Sequence, residues 1–383
     1  MLLALFVSAC GSGTPPVAGV AGAPLPDLAE AEAARFLAGK ALFNRVFTPE
    51  DGLGPAFNEN QCSACHTVPA EGGTTGFERV VKATRTDEAG RCDLLIAEGG
   101  ENVRTQATPL LRAAGIERES DPPGAAHRGR FLPTFLFGLG LVEAIPDEVI
   151  AARADPHDRN GDGISGRAAR GADGRLTRFG RKSDIGTLED FTRSALRLEM
   201  GLTTRADERD LVNGAPPPDG ADPAPEPEVD PETVALLTDF VRYLAPPAPA
   251  PPRSPAHADS IARGRRLFES IGCIQCHTPA LRTGPHTSTA LRYRTIQLYS
   301  DLLLHDLGPG LANVCAFDAG PRELRTAMLM GLQHRSFYLH DGRAIDLRDA
   351  ILAHGGEAQA IRDRFAGLPW LEQEKLILFL RSL

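Results

Sequence analysis

The sequence predicts a mainly α-helical fold of two similar domains in tandem, the first of which carries a long insertion rich in loops. The first observation is a pair of CxxCH pentapeptides at residues 62–66 and 273–277. The second is that each half opens with a similar segment, GKALF at 39–43 and GRRLF at 264–268. The third is that each half closes on an apolar pattern of helical period. An internal repeat of this kind indicates two domains built on one plan.

Each half is therefore predicted to begin with a helix, continue through the pentapeptide and end with a second helix. The closing helices are expected at 234–244 and 371–383, where apolar residues recur with helical spacing. The predicted order is a signal and tether at 1–26, a first domain at 27–245 with an insertion at about 145–230, a linker at 246–256 and a second domain at 257–383. The proline-rich linker is expected to be stiff, and the acidic, proline-rich end of the insertion to be an exposed loop.

The two pentapeptides carry the chemistry, because CxxCH is the attachment signature of c-type haem. Two cysteine sulfurs add to the haem vinyl groups, and the adjacent histidine binds the iron. The residues are Cys62, Cys65 and His66 in the first half, and Cys273, Cys276 and His277 in the second. A thioredoxin-like dithiol and a four-cysteine zinc site are the alternatives, but neither explains a histidine directly after both cysteine pairs. The sequence thus predicts two covalently bound haems in two cytochrome c-like domains.

The N-terminal segment indicates an exported protein. A short apolar run ends at the tetrapeptide VSAC, residues 7–10, which resembles the lipobox of bacterial lipoproteins and makes Cys10 the candidate lipidated residue. A secretory signal with an incidental cysteine is the alternative. Residues 11–26, rich in Gly, Pro and Ala, are expected to form a flexible tether. We expect the protein to be lipid-anchored on the periplasmic side of a bacterial membrane, the outer membrane, where its haems are accessible to periplasmic partners.

Charge and composition exclude some functions. The net charge of −9 leaves no basic footprint for nucleic acid. No other segment is long and apolar enough to cross a membrane, so the lipid anchor is the one expected membrane contact. Cys92 and Cys315 remain once the other cysteines are assigned. They either form a disulfide between the two halves, as an oxidising compartment permits, or stay as two buried thiols, and the sequence leaves both alternatives open.

The C-terminal part of the chain resembles a known family. The segment 338–344 contains an HDG tripeptide and is followed by a helical pattern that ends at His354. These residues resemble the bacterial di-haem cytochrome c peroxidases and the related di-haem oxidoreductases, some of which are called thiol oxidoreductases. The resemblance extends from residue 36 to the end and rests on both haem motifs, 178–182, 199–202, 300–311 and 339–344.

The resemblance implies the axial ligands of the second haem. In the family, the residue fourteen positions after the HDG histidine is the sixth ligand, and counting from His340 leads to His354. The second haem is therefore expected to be held by His277 and His354, with His340 as an orienting residue and His305 as the second candidate ligand. A surface histidine that caps a helix is the alternative for His354. In the peroxidases that the chain resembles, this ligand is methionine and the C-terminal haem is the high-potential electron store. Imidazole in place of a thioether lowers the haem potential, so the resemblance does not extend to that role here.

The resemblance also implies that the first haem reacts with peroxide beneath a glutamate. Glu143, in the segment 140–146, is the candidate acid–base group, and a carboxylate at a helix entry is the alternative. His127, His157 and Met200 are the other side chains considered near this iron. If one of them binds the iron firmly, the first haem is closed to peroxide.

A calcium site is predicted within the insertion. Residues 158–163 read DRNGDG, a pattern similar to the start of an EF-hand loop, in which oxygen ligands alternate along a tight turn. The candidate ligands are Asp158, Asn160, Asp162 and the carbonyl oxygen of Ile164. The twelfth loop position is alanine, so the usual bidentate glutamate is missing. A turn held by its own side chains is the alternative.

Together these features predict a di-haem oxidoreductase that reduces hydrogen peroxide with electrons from a small periplasmic cytochrome c or cupredoxin. One alternative is an electron-transfer cytochrome in which both irons have six ligands. Another is an enzyme that oxidises an organic or protein substrate. An accessible sixth position on the first iron distinguishes the peroxidase from the electron carrier.

Overall fold

The computed structural model describes residues 16–76, 80–206 and 209–383. The α-helices are α1 (Glu30–Phe43), α2 (Cys62–Cys65), α3 (Pro109–Ala113), α4 (Leu139–Glu143), α5 (Asp147–Ala151), α6 (Leu188–Met200), α7 (Pro231–Tyr243), α8 (Pro255–Ser270), α9 (Leu347–Leu352), α10 (Gln359–Ala366) and α11 (Trp370–Leu380). The β-strands are β1 (Ala56–Phe57), β2 (Val80–Thr86), β3 (Cys92–Asp93), β4 (Asn102–Val103), β5 (Gln106–Ala107), β6 (His127–Phe131), β7 (Leu281–Arg282), β8 (Thr295–Ile296), β9 (Leu304–Asp306) and β10 (Glu323–Arg325).

Each half contains a pair of packed helices, α1 on α7 and α8 on α11, as the repeat predicts. The repeated glycines lie where these helices meet. A Cβ atom on Gly39 would lie 2.0 Å from the carbonyl oxygen of Leu236, and one on Gly264 would lie 1.9 Å from that of Lys375. Only glycine permits such close backbone contact. The two GxxLF-type segments are thus alike because both must accommodate a second helix.

Local capping explains where the helices that flank the linker begin. The Asp230 carboxylate accepts a hydrogen bond from the backbone N–H of Thr233 (2.9 Å) at the start of α7. The Ser254 hydroxyl accepts one from the N–H of His257 (3.2 Å) at the start of α8. Each helix has proline at its first position, where the missing N–H costs nothing. Both starts are therefore fixed by the sequence itself.

The first half also contains a β-sheet that the prediction of a mainly α fold did not include. Strand β2 pairs with β6 over five residues and with β3 and β4 over two residues each, all antiparallel. The β2 sequence VVKATRT is rich in β-branched residues, which favour extended backbone. The fold is therefore helical around the CxxCH motifs and mixed where β2 and β6 lie beside the first of them.

Cys92 and Cys315 form a disulfide across 223 residues of sequence. Cys92 begins β3 in the first half, and Cys315 lies in the second half after the segment Pro309–Leu311. This resolves the alternatives that the sequence left open. The disulfide joins the two halves covalently, in addition to their shared hydrophobic core.

Removal of this disulfide is expected to destabilise the folded protein. A double Cys92→Ser, Cys315→Ser variant should lose about 2–5 kcal/mol of unfolding free energy, because the cross-link restricts the unfolded chain. Denaturant unfolding of the haem-loaded protein, followed by circular dichroism, measures the change. Wild-type protein treated with a reductant should match the variant. An unchanged unfolding midpoint in both would show that the disulfide adds no stability.

The segment 16–26 packs against both halves, so the prediction of a flexible tether is wrong for this part. The backbone N–H of Val17 donates to the carbonyl of Thr295 (2.9 Å), and that of Leu25 donates to the carbonyl of Tyr243 (2.7 Å). Both side chains are buried. Cys10 lies outside the described residues, and its lipidation stays a prediction. Within the described residues, no helix has the length and apolar character needed to cross a membrane.

The predicted insertion is only partly a loop. It contributes α6, whose Leu188, Leu196 and Met200 side chains are buried in the larger hydrophobic core. It also contributes Ile164 to the smaller core of the second half. The stretch 215–228 has neither helix nor strand, as predicted, but it is not exposed throughout, because Ala221 is buried in a small apolar cluster with Leu111. The insertion therefore helps to build both halves.

Candidate haem sites

The second CxxCH motif opens into a cavity of about 210 Å³. Cys273, Cys276 and His277 line it, and so does His354, two residues beyond α9. The Nδ1 atom of His277 lies 2.9 Å from the carbonyl oxygen of Tyr299, and that of His354 lies 2.8 Å from the carbonyl oxygen of Ala350. Each imidazole therefore uses Nδ1 in a backbone hydrogen bond and keeps Nε2 for iron, as metal-binding histidines commonly do.

Both imidazoles are held in the neutral form that a ligand requires. Burial, with a smaller contribution from the neighbouring His354, lowers the pKa of His277 to about 4. Burial likewise lowers the pKa of His354. The structure thus places in one cavity the two histidines that sequence reasoning paired.

His305 borders the same cavity, but its position contradicts a ligand role. Its Nε2 lies 2.9 Å from Asp301 Oδ2, and its Nδ1 lies 2.8 Å from Glu357 Oε2. Burial disfavours the charged ring, but hydrogen bonds with Asp301, Cys276 and Glu357 raise the pKa of His305 to about 12. An imidazolium with both nitrogens occupied has no lone pair for iron. His305 is therefore a structural cation beside the haem motif.

Three half-buried arginines in the cavity wall show whether the residues present fit a haem. Arg181, Arg325 and Arg335 line the cavity, and burial lowers the pKa of Arg325 and Arg335 to about 10. The Nε atoms of Arg181 and Arg335 have no hydrogen-bond partner among the described residues. Three partly desolvated cations that form no ion pair among the described residues are costly, so an anion is expected beside them. The carboxylates of a haem would supply that charge, and the residues present fit the cofactor.

The first CxxCH motif opens into a separate cavity of about 250 Å³. Cys62, Cys65 and His66 line it, together with Met200 at the end of α6. His66 Nδ1 lies 2.9 Å from the carbonyl oxygen of Gly73, and burial lowers the pKa of His66. The four motif cysteines lie in two different cavities, two in each, which is incompatible with one zinc site shared by both motifs.

A polar cluster lines one side of the first cavity. Glu199 accepts hydrogen bonds from the side-chain amides of Asn58 and Asn102, each at 2.7 Å. Burial raises the pKa of Glu199 above that of an ordinary glutamate, so a proton is held there more readily. Nearby, Lys82 Nζ donates to Glu101 Oε1 at 2.7 Å. The cavity therefore contains a carboxyl group that is fixed in place and able to exchange a proton.

The position of Glu143 corrects the expectation that it is the acid–base group. One carboxylate oxygen accepts from the backbone N–H of Leu188 (2.8 Å), and the other from Arg242 Nε (2.9 Å). Glu143 does not line either haem cavity. A carboxylate that caps α6 and pairs with an arginine cannot reach a molecule bound in the first cavity. Its role is structural.

The other candidate ligands of the first iron also differ in whether they line the first cavity. His127 bonds through Nε2 to Thr86 Oγ1 (3.1 Å), and His157 lies in an exposed loop, so neither lines the cavity. Met200 does line it. Sequence reasoning missed Glu199 although it considered Met200, the next residue. The sequence feature that could have indicated Glu199 is its position as an acidic residue beside the buried end of the amphipathic helix α6.

The predicted calcium loop is a tight turn. The Asp158 carboxylate accepts from the N–H of Gly163, that of Asp162 from the N–H of Ile164, and the Asn160 side chain from the N–H of Asp162. The other Asp162 oxygen accepts from Gln275 Nε2 at 3.0 Å, inside the second haem motif. The loop thus contacts the second haem site, and calcium binding stays a prediction.

The sequence profile of one family, described as "Di-haem oxidoreductase, putative peroxidase", matches residues 16–108 and 126–383. No curated protein matches the chain.

Several solved structures resemble the chain at low identity. Hydrazine synthase of Kuenenia stuttgartiensis has 14% identity and a TM-score of 0.46, with 100% of both chains covered. A MauG-like protein associated with microbial copper homeostasis has 15% identity and a TM-score of 0.38, covering 99% of this chain and 95% of that one. The diheme peroxidase BthA from Burkholderia thailandensis has 15% identity and a TM-score of 0.36, covering 98% and 92%. Likenesses this distant support no conclusion about the reaction.

Proposed function

The chain belongs to the di-haem oxidoreductase family, and from this premise we propose that it reduces hydrogen peroxide in the first cavity with electrons that enter at the second. The family implies two haems, and the two CxxCH motifs support their covalent attachment. The observation that carries the proposal is the difference between the cavities. The second is lined by His277 and His354, which together can hold one cofactor, whereas the first is lined by one histidine and by several carboxyl groups, of which Glu199 is held by two asparagines.

The residues of each cavity have distinct tasks. His277 and His354 would hold the second cofactor through Nε2, and with two strong protein ligands that site would be closed to small molecules. His66 holds the first cofactor, which when bound supplies the redox chemistry of peroxide cleavage. Glu199 takes the proton from the O–H of peroxide and returns it to the departing oxygen, so that water can leave. Asn58 and Asn102 keep its carboxyl group oriented.

The partner and the location are part of the same proposal. We expect the donor to be a small periplasmic cytochrome c or cupredoxin, and Cys10 to carry a lipid that holds the protein on the periplasmic side of the outer membrane. The Cys92–Cys315 disulfide supports an oxidising compartment. Haem c attachment in the same compartment agrees with it.

Steady-state kinetics test this function directly. The haem-loaded protein is mixed with a reduced small cytochrome c, and oxidation of that cytochrome is followed on addition of hydrogen peroxide. Two donor molecules should be oxidised per peroxide, since reduction to two waters takes two electrons. If both haems accept electrons from the donor but peroxide causes no oxidation, the protein is an electron carrier. Met200 is the observation that favours this second function, because this residue lines the first cavity and a thioether is a possible iron ligand.

The calcium loop gives a prediction of its own. If the loop binds calcium, free ion at about 100 times its Kd should stabilise the folded protein by about 2.7 kcal/mol, and a chelator should remove that gain. Asp158→Asn and Asp162→Asn should abolish the response in thermal unfolding. Asp173→Asn, which changes an exposed carboxylate elsewhere in the insertion, serves as the control. Calcium titrations that release no heat would leave the loop as a turn without metal.

A further inference from the structure

The two haem cavities share a wall. Arg181 lines both cavities, Phe131 and Leu132 line the first, and His340 lines the second. The backbone N–H of Leu132 donates to the carbonyl oxygen of His340 at 2.8 Å. The rings of Phe131 and His340 lie with their centroids 5.5 Å apart. A single layer of residues therefore separates the two sites, and a hydrogen bond crosses it.

The wall contains two buried nitrogen atoms that are not satisfied. His340 is 5% exposed, and its Nδ1 has no hydrogen-bond partner among the described residues. Its Nε2 is 3.8 Å from Asp341 Oδ2, which is too long for a hydrogen bond. Arg181 donates from Nη2 to the carbonyl oxygen of Leu132 (3.1 Å), but its Nε has no partner among the same residues.

Unsatisfied buried donors of this kind call for a ligand, because leaving them unpaired costs free energy. Burial lowers the pKa of His340 to about 4, so the ring is neutral and can donate from Nδ1 without carrying charge. The wall separates two cavities that fit a haem, and each haem carries acidic side groups. The donors of the wall are therefore suited to bind these groups.

We propose that His340 and Arg181 form the coupling element through which electrons pass from the second haem to the first. The inference rests on the proposed function and specifies the path that electrons take between the two haems. One electron leaves the cofactor held by His277 and His354, which is oxidised, and the cofactor held by His66 is reduced by one electron. No bond is made or broken. Electron tunnelling weakens steeply across gaps, so donors that bind a haem group shorten the through-space part of the path.

Flash photoreduction tests this route without peroxide. A photoexcited ruthenium complex injects one electron into the fully ferric protein, and the visible spectrum follows its movement between the haems. His340→Phe keeps a ring beside Phe131 but removes the donor, and His340→Gln keeps a donor but removes the ring. Transfer should be about ten-fold slower or more in His340→Phe, as for other lost supporting contacts of metal sites. It should stay close to the wild-type rate in His340→Gln.

A second variant and a control complete the test. Arg181→Met, which removes the other donor, should also slow transfer, and His286→Ala, which changes a histidine that lines neither cavity, should not. The potentials of both haems are measured in every variant so that a changed driving force is recognised. Wild-type transfer in both His340→Phe and Arg181→Met overturns the proposal. Because no peroxide is present, this outcome is distinct from failure of the peroxidase function.

Discussion

Replacement of Glu199 by glutamine is expected to lower kcat/KM for hydrogen peroxide about 10²–10⁴-fold, the usual contribution of a positioned acid–base group. Glutamine has nearly the same shape and still fills the site between Asn58 and Asn102. It can neither take the peroxide proton nor return it to the departing oxygen. Stopped-flow mixing of the haem-loaded variant with peroxide measures the rate, and its ferric spectrum reports whether the haem environment is preserved.

Glu143→Gln is the matched control, because the same substitution is made in a carboxylate outside the cavity. That variant loses an ion pair with Arg242 and part of the cap of α6, so it should unfold more easily. Its peroxide kinetics should remain close to those of the wild type. Equal losses in the two variants, or a large loss only in Glu143→Gln, would contradict the assignment of Glu199.

The pH profile gives a further sign of Glu199. As the base, Glu199 must be ionised before peroxide arrives, and burial raises its pKa above the ordinary value. The rate should therefore be low at pH values below this raised pKa and rise as the pH passes through it. The rising limb should be absent in Glu199→Gln.

Replacement of His354 by methionine is expected to raise the potential of the second haem on the order of 0.1 V, because a thioether stabilises ferric iron less than imidazole does. The low-spin signal of an iron with two histidine ligands should disappear from the EPR spectrum. Spectroelectrochemical titration measures the potential of each haem. Donor oxidation should slow, since a higher potential in the second cavity makes the onward transfer less favourable.

His334→Met is the control for this change, because His334 is also in the second half but lies outside both cavities. It should leave both potentials unchanged. If His354→Met keeps the potential and the EPR signal of the wild type, His354 is not an iron ligand. His305 cannot take its place, because both of its nitrogens are bound to carboxylates.

The features that depend on neighbours in sequence were predictable. The spacing within CxxCH and the caps of α7 and α8 are local patterns with a direct physical reason. The position of His354 was reached by its distance from the HDG tripeptide, and the structure places it in the cavity of His277.

Features that depend on distant contacts were not predictable in the same way. Glu143 and Glu199 are both glutamates at the ends of helices, and only the packing of α6 on α7 shows which one enters the cavity. The pairing of β2 with β6 joins residues about 45 positions apart, so no short turn sequence between the two strands predicts the sheet. Residues 16–26 have the composition of a tether, yet their backbone groups find partners in both halves.

The measurement that tests the central claim most directly is low-temperature EPR of the ferric protein, with its optical spectrum, before and after addition of peroxide. The account predicts one low-spin iron held by His277 and His354 and one high-spin iron in the first cavity whose signal is consumed by peroxide. Two low-spin irons that peroxide leaves unchanged, in both the ferric and the half-reduced protein, would contradict it and identify an electron carrier.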